Sequence, residues 1–274
     1  MNETLRSVDG RTELRIERRL GHAPAKVWRA LTEPSELAAW FPAVVELDLR
    51  LDGRIAFSFE QGEDGFVEDP DNAGVIRAYD PPRLLEYNWG VEVLRWELEP
   101  DGDGCVMTLT ATFDDRPAAA SYTAGWLGCF SALDLMLGGS GEEPVDYAPR
   151  HEHYVAKFGL DAGTITRTAE EWTIRFERQF AKPKERIWAH LSGGRTPAPG
   201  QPAPQGFVAK GIEPGPVAEV SEPTSLVCGP ITWKLRDGNG GARVILTHTG
   251  PLAEDPAEPY DAWHDLLEAI ADQA

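Results

Sequence analysis

At 274 residues the chain is longer than one typical domain, so one large or two modest domains are the starting alternatives. A hydrophobic fraction of 42% with 26% charged residues is ordinary for a soluble globular protein, and no run approaches the roughly 18 apolar residues needed to span a membrane. The formal net charge of −19 argues against nucleic acid and anionic lipid surfaces as partners, since both repel a polyanion and no basic patch compensates.

The opening stretch, Met1 to Gly10, is polar and lacks the apolar core of a signal peptide. Cys105, Cys129 and Cys228 are scattered and odd in number, which fits neither a disulfide framework nor a metal-site spacing. They read as small buried hydrophobes in a cytoplasmic, reducing setting. Glu13 to Leu20 alternates apolar and charged residues, as a half-buried strand does. Pro24 suits the first turn of a helix carrying Val27, Trp28 and Leu31, and Pro34 starts a short helix over Ser35 to Trp40 that Pro42 stops. Val45, Leu47, Leu49 and Leu51 then alternate with charges. After a turn at Asp52-Gly53, Ile55, Phe57 and Phe59 resume the pattern, giving a hairpin. The acid-rich stretch from Glu60 to Asp71 lacks the ligand order of a calcium loop and reads as a solvated, mobile loop.

Four more alternating runs follow: Val75 to Tyr79, Leu84 to Trp89, Val91 to Leu98 and Cys105 to Phe113. The turn signals between them are Asp80-Pro81-Pro82, Gly90 and Asp101-Gly102-Asp103-Gly104. About seven consecutive strands on short turns make an antiparallel meander. From Pro117 the period becomes helical, with Tyr122, Trp126, Phe130, Leu133 and Leu137 on one face. One long helix against one twisted sheet is a two-layer α+β domain.

The pattern then returns. Arg15-Ile16-Glu17-Arg18 recurs as Arg175-Phe176-Glu177-Arg178, and Val27-Trp28 and Leu31 as Ile187-Trp188 and Leu191, all at an offset of 160. Trp96-Glu97-Leu98 meets Trp233-Lys234-Leu235, and Trp126 meets Trp263, at an offset of 137. Three tryptophan pairs in one order indicate a duplicated domain. The lost 23 positions fall where the first copy has its hairpin and the second has the Pro- and Gly-rich tract 192–206 followed by Phe207-Val208-Ala209-Lys210. Such a tract supports little regular structure, so the second copy is expected to be truncated. The expected division is 1–138 for the complete domain, 139–170 for a mostly irregular linker with at most a short helix near His153 to Phe158, and 171–274 for the truncated domain. Fewer strands should leave its closing helix, around Trp263, Leu266, Leu267 and Ile270, partly uncovered, in need of cover from the other domain or a second chain.

Pro24-x-x-Val27-Trp28-x-Ala30-Leu31-Thr32-x-Pro34-x-x-Leu37-x-x-Trp40-Phe41 resembles the opening signature of the SRPBCC (START/Bet v 1-like) superfamily. More narrowly it resembles the bacterial family named after the heat-shock-protein-90 ATPase activator homologues. Asp80-Pro81-Pro82-Arg83-Leu84-Leu85-x-Tyr87-x-Trp89, the stretch Trp96 to Gly104, and Gly125-Trp126 resemble later segments of that family. So do Glu222-Pro223-x-x-Leu226-Val227 and Leu246-Thr247-His248-Thr249-Gly250 in the second copy. The resemblance covers 13–137 well and 171–272 in part. It implies two tandem helix-grip domains, each a curved antiparallel sheet gripping a long C-terminal helix. Related domains bind lipids, sterols, plant hormones, polyketides or protein clients, so the fold does not select a ligand.

The residues facing the helix are mainly aromatic: Trp40, Phe57, Phe59, Tyr87, Trp89, Trp96, Tyr122, Trp126 and Phe130. They form either the wall of an apolar ligand cavity or a plain core. No catalytic residue, metal site or cofactor is expected. His22 and His190 read as surface residues, His151-Glu152-His153 as part of a solvated linker, His248 as a strand residue, and His264 as a residue beside Trp263 near any second-copy cavity. Arg77 and Arg95 read as solvent-face charges on strands. The leading expectation is a non-enzymatic binding protein, monomer or homodimer, that holds a hydrophobic or aromatic small molecule in the first domain. The alternatives are a chaperone-linked protein-interaction module, whose acidic surface would meet a basic partner, and a polyketide aromatase or cyclase, which needs an acid–base residue inside the cavity.

Overall fold

The computed structural model describes residues 2–60, 66–68, 73–140 and 146–273. The chain falls into two units: Met1–Ala119 with Thr123–Val145, and Ala120–Tyr122 with Asp146–Ala274.

In the first unit, β1 (Asn2–Val8) and β2 (Arg11–Leu20) are followed by α1 (Pro24–Thr32), α2 (Pro34–Leu37), β3 (Val44–Leu47) and β4 (Arg54–Glu60). Then come β5 (Phe66–Glu68), β6 (Gly74–Asp80), β7 (Leu84–Trp89), β8 (Glu92–Asp101), β9 (Gly104–Phe113) and α3 (Ala119–Leu137). The nine strands form one antiparallel sheet in the order β1-β2-β9-β8-β7-β6-β4-β3, with β5 beside β4. Alternation does what the sequence requires of it: on β2, Leu14, Ile16 and Leu20 are buried while Glu13, Arg15 and Glu17 are partly exposed. Gly138, in the left-handed conformation (φ 94), ends α3.

Two strands were not expected. On β1 only Glu3 is fully buried, so Asn2–Val8 carries no apolar alternation to read. Its signal is the turn: Asp9 and Gly10 both have positive φ (50 and 81), the two-residue loop that matches hairpin twist. Most of the Glu60 to Asp71 stretch, expected to be a mobile loop, lies outside the described residues, but Phe66–Glu68 pairs with β4.

The second unit contains α4 (Tyr147–Phe158), β10 (Thr164–Arg167), β11 (Glu171–Gln179), α5 (Lys184–Ser192), β12 (Val217–Ser221), β13 (Ser225–Cys228), β14 (Ile231–Gly238), β15 (Gly241–Pro251) and α6 (Ala257–Gln273). Its six strands are antiparallel in the order β10-β11-β15-β14-β13-β12. The chain is thus α+β with two helix-grip units, the second having the smaller sheet. Trp126 lies on α3 and Trp263 on α6, the last helix of each unit.

Two expectations are corrected. Residues 141–145 of the interval 139–170 lie outside the described residues, and the rest is not mostly irregular: it carries the 12-residue helix α4 and the strand β10. Tyr154 and Val155 are buried on one side of α4, which gives the helix a packed face. Nor is the closing helix of the second unit uncovered at its centre, because Trp263, Leu267 and Ile270 are each no more than 1% exposed. The Pro- and Gly-rich segment forms no ladder strand, yet it folds onto the core through Phe207 and Ala209. Phe207 packs edge-on against Trp188 and Trp233, and its carbonyl accepts the Trp233 indole N–H at 3.2 Å.

Candidate functional site

The first unit places eight of the nine expected aromatics in one connected set. Trp40 meets Trp96 edge-on at 5.9 Å between ring centroids, Trp96 meets Trp126 at 5.5 Å, and Phe130 touches both Trp96 and Trp126. Phe57 is stacked on Trp89 at 4.6 Å and 8°, and it also contacts Tyr87. Phe59 lies on the Trp89 ring at 6.1 Å. Six of the eight are buried; Phe59 and Trp89 are half-buried and bring the set out toward solvent. Tyr122, also half-buried, sits on the turn of α3 that groups with the second unit.

Phe41 was missed. It touches Trp40, Phe57, Trp89 and Trp126, so it joins the α2 end of the set to the sheet and to α3. It stands in the opening signature, but it lies beyond the short helix and outside any periodic run that would assign it a face. Two polar atoms are fixed inside the set. The Trp40 indole N–H donates to the Ala30 carbonyl at 2.9 Å, and that of Trp96 donates to the Tyr87 hydroxyl at 3.2 Å. Burial holds the Tyr87 phenol far above its usual range, with the Trp96 hydrogen bond opposing, so it keeps its proton. Arg95 is tied to Glu86 and Glu97 at 3.1 and 2.8 Å, and Arg77 lies 3.9 Å from Glu86, all on the face opposite the aromatics.

The second unit has a different character. On β11 the inward positions hold Trp172, Ile174, Phe176 and then Arg178, which is 2% exposed. Arg178 donates to the Leu267 carbonyl at 2.8 Å and to Glu152 at 2.5 Å, lies 3.0 Å from Glu268, and stacks its guanidinium over Phe180 at 4.7 Å. His151, expected in a solvated linker, is fully buried: its place on α4 puts Nδ1 3.2 Å from Glu152, while Nε2 has no hydrogen-bond partner among the described residues. His264 Nε2 lies 3.1 Å from Asp161. Burial raises the Glu268 pKa, countered by Arg178 and reinforced by Asp161. The available signal for this network was parity: an arginine at an inward strand position needs a buried partner. A cleft of about 340 Å³ opens nearby in the same unit, lined by α4 residues, Phe180, Lys182 and the last turn of α6, away from Trp263.

His248 is held in a definite state. It is 8% exposed, flanked edge-on by Trp172 and Trp263, and its Nδ1 accepts the Trp263 indole N–H at 3.0 Å. Burial lowers its pKa, so the native protein prefers it neutral. Above the ordinary histidine range near ~6.5 both folded and unfolded chains have it neutral, and it contributes no pH dependence. As pH falls below that range the unfolded chain binds a proton that the native one refuses, so stability is lost. Urea unfolding at pH 7.5 and 5.5 is expected to show a smaller acid loss for His248→Gln than for the parent chain; equal losses would contradict the assignment. The cysteines are free, and burial pushes the Cys129 and Cys228 thiols up to about 11, away from reactivity.

Residues 22–138, within the first unit, match the family described as Activator of Hsp90 ATPase homolog 1-like protein. Among solved structures, the chain is similar to CalU16 from Micromonospora echinospora, at 21% identity over 57% of this chain and 96% of that one, with a TM-score of 0.44. It is also similar to EF2215 from Enterococcus faecalis, a conserved protein of unknown function, at 21% identity over 57% and 90% with a TM-score of 0.48. NE0264 from Nitrosomonas europaea gives 22% identity over 48% and 96%, with a TM-score of 0.42. No curated protein matches the chain. Among the described residues no helix is long and apolar enough to cross a membrane.

Proposed function

We propose that the first unit is a non-enzymatic binding domain for a hydrophobic or aromatic small molecule, working in a reducing cytoplasm as a monomer or homodimer. The observation that carries this reading is the continuity of the aromatic set. Half-buried Phe59 stacks on half-buried Trp89, which stacks in turn on buried Phe57 and meets Trp126 edge-on, so ring contacts run from the solvent edge to Trp126 and Trp96. A flat apolar ligand extends such a stack at little entropic cost, since the rings are already fixed by one another. The Tyr87 hydroxyl accepts from Trp96 and retains its own proton, which suits a ligand carrying a carbonyl or hydroxyl acceptor.

The test is a thermal-shift and tryptophan-quenching screen of the full chain against a fatty acid, a sterol and a polyphenol. A ligand at a hundred-fold excess over its dissociation constant stabilises by about 2.7 kcal/mol. Trp89→Ala should remove that stabilisation while leaving the second unit folded; no shift and no quenching across the three classes would sink the reading.

The family description favours one other reading, a chaperone-linked role. Faster ATP hydrolysis by Hsp90 in the presence of the chain would support it, and an unchanged rate would remove it. We also read the two units as copies of one ancestral domain, with 1–138 and 171–274 as the matching segments. The Trp96–Trp126 pair (5.5 Å, 81°) and the Trp233–Trp263 pair (5.8 Å, 77°) support this, each holding the last helix of its unit edge-on against a strand tryptophan.

A further inference from the structure

The second unit brings together three side chains that the binding function of the first unit does not use. One potential ligand atom from each of Asp161, His264 and Glu268 lies within 4.8 Å of the other two. His264 and Glu268 are one turn apart on α6 and so project from the same face, while Asp161 reaches them from the segment between α4 and β10. We propose that these three residues bind a divalent ion of the first transition row, Zn²⁺ being the representative case, with water completing its coordination.

Four observations carry the assignment. Zinc sits about 2.0–2.2 Å from imidazole nitrogen and carboxylate oxygen, so its ligands lie roughly 3–3.5 Å from one another; His264 Nε2 and Asp161 are already 3.1 Å apart, and side-chain movements on the order of an ångström bring the rest of the trio into range. The side chains are only partly exposed, at 26% for Asp161, 33% for His264 and 43% for Glu268, which leaves a path for the ion and for water. Among the described residues Glu268 Oε1 is buried with an ion-pair partner, Arg178 at 3.0 Å, but no aligned hydrogen-bond donor. Finally, the carboxylates outnumber the arginine beside them: Glu152 and Glu268 both pair with Arg178, and Asp161 adds a further negative charge near Glu268. A bound dication supplies the missing positive charge, with Arg178 steadying Glu268 from behind. The imidazole ligand selects a transition ion over Mg²⁺ or Ca²⁺, which prefer all-oxygen sites. The competing explanation is a bare His264–Asp161 ion pair with no ion between them.

Calorimetric titration of the chelator-stripped full chain with ZnCl₂ separates the two. The expected result is one equivalent per chain, little heat with MgCl₂, and affinity lowered roughly tenfold or more in Asp161→Asn, His264→Gln and Glu268→Gln, each checked for folding by far-ultraviolet circular dichroism. A triple substitution of the exposed or surface histidines His22, His153 and His190 should leave the single equivalent intact. Should a site variant fail to fold, zinc anomalous scattering from a soaked crystal gives the answer without it, as a peak in bonding distance of His264 Nε2. Absence of binding at about 100 μM Zn²⁺, binding unaffected by all three site variants, or a peak elsewhere would overturn the proposal.

Discussion

Trp96→Ala is expected to destabilise the first unit by about 3–5 kcal/mol, the largest loss of any single aromatic in its core. Trp96 is 1% exposed and is met by three other rings of the set: Trp40 from the α2 end, and Trp126 and Phe130 from α3. Truncation leaves a cavity that these rings close only in part, because each is held by other neighbours. It also removes the N–H that the Tyr87 hydroxyl accepts, within a site that water does not reach freely. Trp89→Ala makes the useful comparison. Its ring is half-buried, so less area leaves water on folding and the loss should be roughly half as large. Urea unfolding followed by circular dichroism measures both. A loss for Trp96→Ala no greater than that for Trp89→Ala would show that the aromatic set is not packed as described.

The second large effect belongs to Arg178. Arg178→Ala removes the donor to the Leu267 carbonyl, the partner of Glu152 and the cover over Phe180 at once, and is expected to lose about 3 kcal/mol. Glu152 and Glu268 are partly hydrated, which keeps the value at the low end of the range for broken buried pairs. Glu152→Ala should lose less, about 1–2 kcal/mol, because Glu268 remains 3.0 Å from the guanidinium. Thermal melts of the two variants set the order, and a Glu152→Ala loss exceeding that of Arg178→Ala would contradict it.

The parts of this chain that were legible in its sequence share one property, strong periodicity. Leu14 and Ile16 on β2, Leu94, Trp96 and Leu98 on β8, and Trp126, Phe130, Leu133 and Leu137 on α3 repeat at the spacing of their element, and all are buried. Elements without such a stripe were legible in part or not at all. β1 is a mostly exposed edge strand held by backbone pairing and a tight turn, and of α4 only the part near His153 to Phe158 was readable, because Pro149, Arg150 and His151 precede its two buried apolar positions. The aromatic set could be named because period-2 alternation tells which face a strand residue takes. Phe41 escaped because it lies outside a periodic element. The Arg178 network escaped for another reason: Arg178 was read only as part of the repeat, and its partners Glu152 and Glu268 come from helices distant in sequence. Pairings between distant elements are set by tertiary packing, which periodicity does not encode.

The central claim is that the first unit holds the ligand, and the indole N–H signals test it most directly. The chain has nine tryptophans, of which Trp28, Trp40, Trp89, Trp96 and Trp126 lie in the first unit and Trp172, Trp188, Trp233 and Trp263 in the second. In a ¹H–¹⁵N correlation spectrum assigned with Trp→Phe variants, titration with a ligand from the thermal-shift screen should move the Trp89 and Trp126 signals first and most. The four signals of the second unit should stay in place. Displacement of those four with Trp89 and Trp126 unmoved would contradict the assignment of ligand binding to the first unit.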